Sequence, residues 1–342
     1  MRVKKQTMKR RRKKQMIKLL ITAAITLAAA AVILLAVYFW EEMNAVEVPD
    51  AGQQMTSTSE YSAAEGAQVF MNGCWYGPRK VETMLLIGID DFGGVVESRS
   101  YNNSTQADFL ALYVHDTATG RGSVIHLNRD TMTDITVLGV TGQNAGTRRA
   151  QLALAYNYGS GGAVSSLNTV DAVSRLLYGV KIDHYLTVTM DAIPLINDWA
   201  GGVTLTVQDD FPGGGLVKGE KVILMGEQAL TYVRTRYGMD DSSNLQRMTR
   251  QRQYASEWFK TAQSRLSDRN AVAELVFSLS NYHHSDCSAD KLNDFAQMLG
   301  QNETIEIFEL PGEAVVGTQF MEYYVDDERI QQLVLELFYT PV

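Results

Sequence analysis

The stretch VETMLLIGIDD, from Val81 to Asp91, decides the fold class of this 342-residue chain. It begins with a short and almost continuously apolar run. Two similar runs follow, FLALYVH at Phe109–His115 and SVIHLN at Ser123–Asn128. Runs of this length and composition are typical of strands that are buried on both faces of a sheet. We therefore expect the three runs to form neighbouring strands of one sheet.

Helical and strand patterns alternate along the rest of the chain. In Ala163–Tyr178 apolar residues recur at helical intervals, and Gly179 is a typical helix end. The other segments predicted are strands at His184–Thr189, Val203–Val207 and Thr304–Leu310, and helices at Asp191–Ala200, Gly226–Val233, Asn244 to about Leu279, and Asp326–Phe338. Such alternation favours a single α/β domain in which helices sandwich a central, mostly β core sheet.

An uncharged segment of 22 residues, Leu19–Trp40, lies near the N-terminus. As a helix it is long enough to span roughly 30 Å of hydrocarbon. Ten Lys or Arg and no acidic residue precede it, so the positive-inside rule places the N-terminus in the cytoplasm and the rest outside. A cleaved signal peptide is the alternative, but its apolar core is usually shorter and ends at small residues.

We accordingly predict a basic cytoplasmic tail at residues 1–18, a single transmembrane anchor at 19–40, a polar stalk at 41–80 and an extracytoplasmic domain at 81–342. The net charge of -8 combines +10 from the tail with -18 from the remainder, which has 21 basic and 39 acidic residues. A general nucleic-acid binder needs a basic face, so this balance excludes that class. Cys74 and Cys287 either form a disulfide or remain two thiols.

A dense arginine cluster stands out against this acidic background. The segment Tyr232–Gln253, YVRTRYGMDDSSNLQRMTRQRQ, contains Arg234, Arg236, Arg247, Arg250 and Arg252. Arginine keeps its charge at physiological pH, and its planar fork binds phosphate oxygens in pairs. The cluster either coats a solvated helix or forms a pocket for a multiply charged anion.

Acidic residues lie at the ends of the predicted central strands. Asp90 and Asp91 follow the first strand, Asp108 opens the second, and Arg129-Asp130 follows the third. Magnesium usually binds one or two carboxylates together with substrate phosphate and water. Asp90 and Asp108 are therefore candidate magnesium ligands. The alternative is that the acids only cap loops and turns.

In these segments the chain resembles the LytR–CpsA–Psr family, which attaches anionic glycopolymers to the cell wall of bacteria with thick peptidoglycan. The most specific matches are YVRTR and the downstream Arg247-x-x-Arg250-Gln251. The resemblance extends roughly from Val81 to Phe338. Its other matching segments, in family order, are MLLIGIDD, ADFLALYVHD, VIHLNRDT, LAYNYGSGG, VKIDHYLTVTMDAIPLINDWAGGVTL and LPGEAVVGTQFMEYYVDDERIQQLV.

The resemblance implies roles for individual residues. It places Mg²⁺ on Asp90 and Asp108, and a pyrophosphate on Arg129, Arg234, Arg236, Arg247 and Gln251. The catalytic set would be Asp90, Asp108, Arg129 and Asp130, with Asp90, Asp91 and Asp130 as alternative proton acceptors. The chain departs from the family at Ala107, where Ser is usual, and at Leu127-Asn128, which precede Arg-Asp in place of Ile-Pro.

The resemblance also implies a reaction at the extracytoplasmic face of the cell membrane. A polymer such as teichoic acid or capsular polysaccharide, carried on polyprenyl pyrophosphate, would be transferred to a peptidoglycan hydroxyl. A hydrolase of the same lipid and a non-catalytic regulatory binder are the alternatives. The lipid needs an apolar channel, and the helices at Val164–Tyr178, Asp191–Ala200 and Gly226–Val233 carry enough Leu, Ile, Val and Met to line one. Ordinary core packing is the alternative, and it is favoured for most of these residues. The polar loop Phe92–Gln106 is a candidate flap on the acceptor side.

Overall fold

The computed structural model describes residues 68–97, 101, 104–211, 215–235, 244–318 and 320–342. Within these ranges no helix has both the length and the apolar character needed to cross a bilayer. The predicted tail, the predicted anchor and most of the predicted stalk lie outside the described residues, so their assignments stay predictions.

The described residues form fifteen strands and eight helices. The strands are β1 Val69–Met71, β2 Cys74–Pro78, β3 Val81–Ile89, β4 Ala107–Asp116, β5 Gly122–Leu127, β6 Met132–Leu138, β7 Asn144–Gln151, β8 His184–Val188, β9 Val203–Thr206, β10 Lys221–Leu224, β11 His283–Ser285, β12 Glu306–Glu309, β13 Gly312–Val316, β14 Met321–Val325 and β15 Tyr339–Pro341. The helices are α1 Leu154–Asn157, α2 Gly162–Leu176, α3 Ala192–Trp199, α4 Glu227–Arg234, α5 Asn244–Leu266, α6 Arg269–Ser278, α7 Ala289–Gly300 and α8 Asp327–Phe338.

The main sheet has six strands in the order β11-β8-β3-β4-β5-β12. The three apolar runs of the sequence are its central strands, as predicted, and they pair antiparallel in the order β3, β4, β5. Strands β8 and β12 join parallel to β3 and β5. The sheet is therefore mixed, which agrees with the predicted α/β class.

Alternate residues of the central strands face two different helical layers, because successive side chains of a strand point to opposite faces. Leu85 and Ile87 of β3 belong to the larger core cluster, together with residues of α2 and α8. Met84 of β3 and Tyr113 of β4 belong to a second cluster with Leu292 of α7. Both faces are thus covered by helices, so these strands lack the polar alternation of a half-exposed sheet.

The predicted long helix from Asn244 to about Leu279 is wrong in one respect, because two helices occupy this range. The first helix ends at Leu266 and the second begins at Arg269. Between them, the carboxylate of Asp268 accepts hydrogen bonds from the backbone N–H groups of Asn270 and Ala271. An Asp in this position is a preferred N-cap, which starts a new helix.

Several elements of the structure were not predicted from the sequence. Residues 69–78, within the predicted stalk, form β1 and β2 and pair with β15 into a small sheet. Two further hairpins, β6–β7 and β13–β14, lie beside the main sheet, and Thr131 bridges to Tyr323 between them. Cys74 and Cys287 are both free thiols.

Candidate functional site

A break in strand pairing presents the first site residue. Gly88 pairs with Phe109 and Ile89 pairs with Ala107, so Asp108 is an extra residue of β4 without a partner in the register. A β-bulge of this kind redirects a side chain away from the regular alternation. The irregularity therefore sets the direction of the Asp108 carboxylate at the start of β4.

The carboxylate of Asp108 lies between two arginines from distant parts of the chain. Its Oδ1 forms an ion pair with Nη1 of Arg129, and its Oδ2 accepts a hydrogen bond of 2.8 Å from Nη1 of Arg247. Both arginines are buried. The structure thus brings a predicted metal ligand together with two predicted pyrophosphate ligands.

Gln106 connects this group to Asp90. The Asp90 carboxylate accepts the backbone N–H of Gln106 at 2.6 Å, and the Gln106 side chain accepts a hydrogen bond from Nη2 of Arg129. Asp90 and Asp108 therefore lie at the same end of two neighbouring strands, as predicted. Asp91 accepts the backbone N–H of Phe92 and so caps the following loop, which was the alternative interpretation for this residue.

Asp130 is buried beside Arg129 and contacts it and Gln151. Its Oδ1 accepts a hydrogen bond of 3.0 Å from Gln151 and lies 3.4 Å from Nε of Arg129. The same Gln151 amide donates to the carbonyl of Met321, in the β13–β14 hairpin. Of the three predicted proton acceptors, Asp130 is thus buried whereas Asp90 and Asp91 are exposed.

The arginine cluster divides between the site and the rest of the fold. Arg234 ends α4, is exposed, and places its guanidinium 5.1 Å from the centre of the Phe92 ring. Arg250 pairs with Asp209, and Arg252 pairs with Glu309. Arg236 lies outside the described residues, so its role stays a prediction.

A cavity of about 480 Å³ lies between the main sheet and helices α3 to α7. Asp108, Arg234, Arg247 and Gln251 line it together, and most of the other lining side chains are apolar. Along β4 the lining runs from Asp108 to Tyr113, and along α5 from Arg247 to Leu266. Lys260 and Glu303 are two further charged residues of the lining. The predicted site residues therefore lie at one end of a mostly apolar space.

Two of the three helices considered for an apolar channel line the cavity, through Ile193 and Ile196 of α3 and Leu230 and Val233 of α4. The helix at Val164–Tyr178 follows the other interpretation, ordinary core packing. The corresponding helix α2 contributes no lining residue, because it packs against the opposite face of the sheet in the larger core.

Gln251 points its amide at the neighbouring helix. It lies one turn beyond Arg247 on α5, as the i, i+4 spacing predicted, and donates a hydrogen bond of 3.2 Å to the carbonyl of Val233. Val233 precedes Arg234, so this bond ties the end of α4 to α5. Gln251, which is predicted to bind the anion, therefore also holds α4 against α5.

Three polar residues of the site were missed by the sequence reasoning, namely His126, Asn128 and Asn244. Burial lowers the pKa of His126 to about 3, and the charges of Arg252 and Arg247 act in the same direction, so its ring is neutral at pH 7. Asn128 was noted only as a departure from the family pattern. Asn244 was noted only as the start of a helix, and its bond to Asn128 joins residues 116 positions apart.

Known proteins are similar to this chain in sequence. The model of the LytR_cpsA_psr family matches residues 46–338. A polyisoprenyl-teichoic acid–peptidoglycan teichoic acid transferase, TagU, of Oceanobacillus iheyensis is 26% identical over 268 residues, 77% of each chain. Biofilm regulatory protein A of Streptococcus mutans is 26% identical over 218 residues, 61% of this chain and 49% of that protein.

Solved structures share the fold. The protein gbs0355 of Streptococcus agalactiae superimposes with a TM-score of 0.61 at 22% identity, covering 75% of this chain and 86% of that chain. The structure of TagT bound to LIIa-WTA superimposes with a TM-score of 0.58 at 20% identity, covering 75% and 89%. At these identities the structural likeness concerns the fold.

Proposed function

The chain belongs to the LytR–CpsA–Psr family, and on that premise we propose that it attaches an anionic glycopolymer to the bacterial cell wall. The donor is a glycopolymer on polyprenyl pyrophosphate, and the acceptor is a peptidoglycan hydroxyl. The protein acts from the outer face of the membrane, anchored by residues 19–40. Names of relatives such as TagU support a transferase of this class.

One observation carries the proposal: a cavity with arginines and a carboxylate at one end and mostly apolar walls along the rest. Arg129 and Arg247 converge on Asp108 there, and Arg234 lines the same space. A lipid-linked diphosphate matches these two parts of the cavity. Its head group carries several negative charges, and its tail is a hydrocarbon. Buried arginines suit the head group, because bidentate contacts with phosphate are strong.

The donor set at the strand ends fits a magnesium ion. Asp90 is exposed and Asp108 is half-buried, both offer carboxylate oxygens, and they lie at the same end of neighbouring strands. Hard divalent cations prefer such ligands. Asp90 and Asp108 would hold the ion, which when bound would neutralise charge on the phosphate oxygens.

The residues of the chain account for the remaining steps. Arg129, Arg247 and Arg234 bind the diphosphate and stabilise charge that develops during transfer. The acceptor oxygen forms a bond to the glycosyl phosphate, the bond to the bridging oxygen breaks, and polyprenyl monophosphate leaves. Asp90 or Asp91, both exposed, accepts the proton of the hydroxyl. Asp130 is buried and holds Arg129. Apolar walls keep water from the reacting phosphate.

Reconstitution of the full-length chain tests the proposal. With Mg²⁺, a polyprenyl-pyrophosphate-linked glycopolymer and peptidoglycan, we expect polymer joined through a phosphodiester, together with polyprenyl monophosphate. Release of free polymer at the same rate without peptidoglycan would instead indicate a hydrolase. Lipid binding without product under any acceptor would indicate a regulatory binder.

A pair of variants of one strand provides the control. Asp108→Asn, at the start of β4, should abolish most transfer. Asp116→Asn, at the end of the same strand, should preserve it, because Asp116 pairs with Arg79 away from the cavity lining. Equal transfer by both variants would contradict the proposed site.

A further inference from the structure

Two buried asparagines form a series of hydrogen bonds that ends on Arg247, the partner of Asp108. We propose that Asn128 and Asn244 are positioning residues that hold the guanidinium of Arg247 toward the diphosphate while adding no negative charge to it. The proposal rests on the function proposed above. Its basis is a chain of side-chain hydrogen bonds that joins the segment after β5 to the first turn of α5.

The contacts form one continuous series. The amide oxygen of Asn244 accepts hydrogen bonds from Nε and Nη2 of Arg247, at 3.1 and 2.7 Å. The amide nitrogen of Asn244 donates to Oδ1 of Asn128 at 2.6 Å. The same Oδ1 accepts the backbone N–H of Asp130 at 3.0 Å. Residues 116 positions apart are thereby joined.

The direction of every bond in this series is determined. A guanidinium and a backbone N–H can only donate, so Asn244 must present its oxygen to Arg247, and Asn128 must present its oxygen to Asp130. The nitrogen of Asn244 is then left to donate to Asn128. Reversing either amide would place two donors or two acceptors against each other. The network therefore favours a single arrangement of Arg247.

The burial of the members makes this arrangement rigid. Asn128, Asn244 and Arg247 are 5%, 7% and 2% exposed. Water therefore has little access to replace a lost bond, and an unmade buried bond is costly. Asn128 also precedes Arg129 in sequence, so the series sets the position of α5 relative to the second arginine of the Asp108 pair.

The neutral charge of Asn244, whose amide oxygen contacts the guanidinium directly, matters as much as its geometry. An amide oxygen orients a guanidinium through its dipole, whereas a carboxylate in the same place would cancel its charge. Arg247 already has one carboxylate partner, Asp108, which it shares with Arg129, so a carboxylate at position 244 would add a second. Support by amides leaves more of the positive potential of Arg247 for the anion.

A double-mutant cycle tests the inference with inorganic pyrophosphate as the probe. The proteins are the full-length chain and its variants Asn244→Ala, Arg247→Ala and the double variant, titrated calorimetrically at low salt. We expect Asn244→Ala to weaken binding about 10-fold when Arg247 is present and less than about 2-fold when it is absent. Coupling of this size is expected only if Asn244 acts through Arg247.

A second pair of variants tests the role of Asn128. Asn128→Asp keeps an oxygen that can accept from both Asn244 and Asp130, so it should retain pyrophosphate affinity within about 3-fold. Asn128→Ala removes that acceptor and should weaken binding about 10-fold. Equal losses for the two substitutions would overturn the proposed acceptor role. This comparison also applies if the variants of Asn244 fail to fold.

Asn293 provides the matched control. Asn293 is 6% exposed, and its amide donates a hydrogen bond of 2.8 Å to the carbonyl of Arg269. It takes no part in the hydrogen bonds that join Asn128, Asn244 and Arg247. Asn293→Ala should lower thermal stability while leaving pyrophosphate affinity unchanged. If it weakens binding as much as Asn244→Ala does, the effect of Asn244 is a general loss of stability and the inference is wrong.

The outcomes separate this inference from the proposed function. Pyrophosphate binding by the unsubstituted protein, with additive effects of the Asn244 and Arg247 substitutions, would overturn the positioning role alone. Absence of pyrophosphate binding by the unsubstituted protein would overturn both the positioning role and the proposed donor head group. Non-additive losses with an unaffected Asn293 variant would support both.

Discussion

Arg247 and Arg250 lie three residues apart on α5 and are equally buried, at 2% and 1% exposure, yet they belong to two different regions. Arg247 faces the charged end of the cavity, where it shares Asp108 with Arg129. Arg250 faces the junction of α5 with α4 and the segment after β9. There it binds Asp209 and the carbonyls of Tyr232 and Thr235. Residue type and burial alone therefore do not identify an anion-binding arginine.

The partners explain the difference. The partners of Arg250 are fixed parts of the fold, and a buried charge of this kind serves to join elements of structure. The Asp108 carboxylate that pairs with Arg247 is shared with Arg129 and lines the cavity, so this pair lies where the proposed magnesium and diphosphate would bind. The comparison predicts that substitution of Arg250 mainly lowers stability, whereas substitution of Arg247 mainly weakens anion binding.

The largest expected effect is the loss of stability in Arg250→Ala. The substitution leaves the buried Asp209 carboxylate and two carbonyls without their donor, and loss of one member of a buried ion pair typically costs about 3–5 kcal/mol. Denaturant unfolding of the full-length chain measures it. A cost below about 1 kcal/mol would show that the junction tolerates the change and would remove the distinction between the two regions.

The next effect is the loss of anion binding in Arg247→Ala. Charge-assisted hydrogen bonds contribute about 1.5–3 kcal/mol, so pyrophosphate should bind roughly 10- to 150-fold more weakly. Titration calorimetry measures the affinity. Arg252→Ala is the control, because Arg252 pairs with Glu309 and does not line the cavity. Equal losses of pyrophosphate affinity in the two variants would indicate that the anion responds to the overall positive potential and not to a defined site.

A third prediction uses His126, whose pKa is lowered to about 3 by burial and by the same arginines. Because the folded pKa lies below the unfolded value of 6.5, the unfolded chain binds more protons between these pH values. The contribution of His126 to stability is complete above pH 6.5 and decreases as the pH falls. Between pH 7 and pH 5 the free energy of unfolding should fall by about 2 kcal/mol from this residue.

The variant His126→Gln removes the titrating ring and should flatten this pH dependence. The same substitution at His283, which is half-buried in β11, should leave the dependence in place. Denaturant midpoints at a series of pH values measure both. An unchanged slope in His126→Gln would mean that other groups cause the acid sensitivity.

The smallest effect is expected at Gln251, which lines the cavity but bonds to the fold. Gln251→Ala removes one hydrogen bond to the Val233 carbonyl, so the free energy of unfolding should fall by about 1 kcal/mol. Because Arg234 follows Val233, pyrophosphate affinity should also fall by a few-fold. Gln253→Ala is the control, since Gln253 bonds to Thr206 outside the cavity lining. Its loss should be confined to stability.

Much of the architecture followed from local patterns in the sequence. The central strands β3, β4 and β5 were predicted because apolar runs of strand length have few other stable arrangements. Asp90 and Asp108 were correctly placed at one end of neighbouring strands. The break at Asp268 had a local signal, a preferred N-cap residue, that the prediction of one long helix overlooked.

By itself the sequence determined the central strands β3, β4 and β5, the presence of acids at strand ends and the arginines of α5. Apolar periodicity and capping act between residues that are near in sequence, so they can be read directly. Only the tertiary structure decided that Asp108 would leave the β4 register and lie between Arg129 and Arg247, that Asn128 would bond to Asn244, and that Arg250 would join α5 to the fold. These outcomes depend on contacts between residues far apart in the chain, and the spacing of residue types does not specify which distant groups will meet.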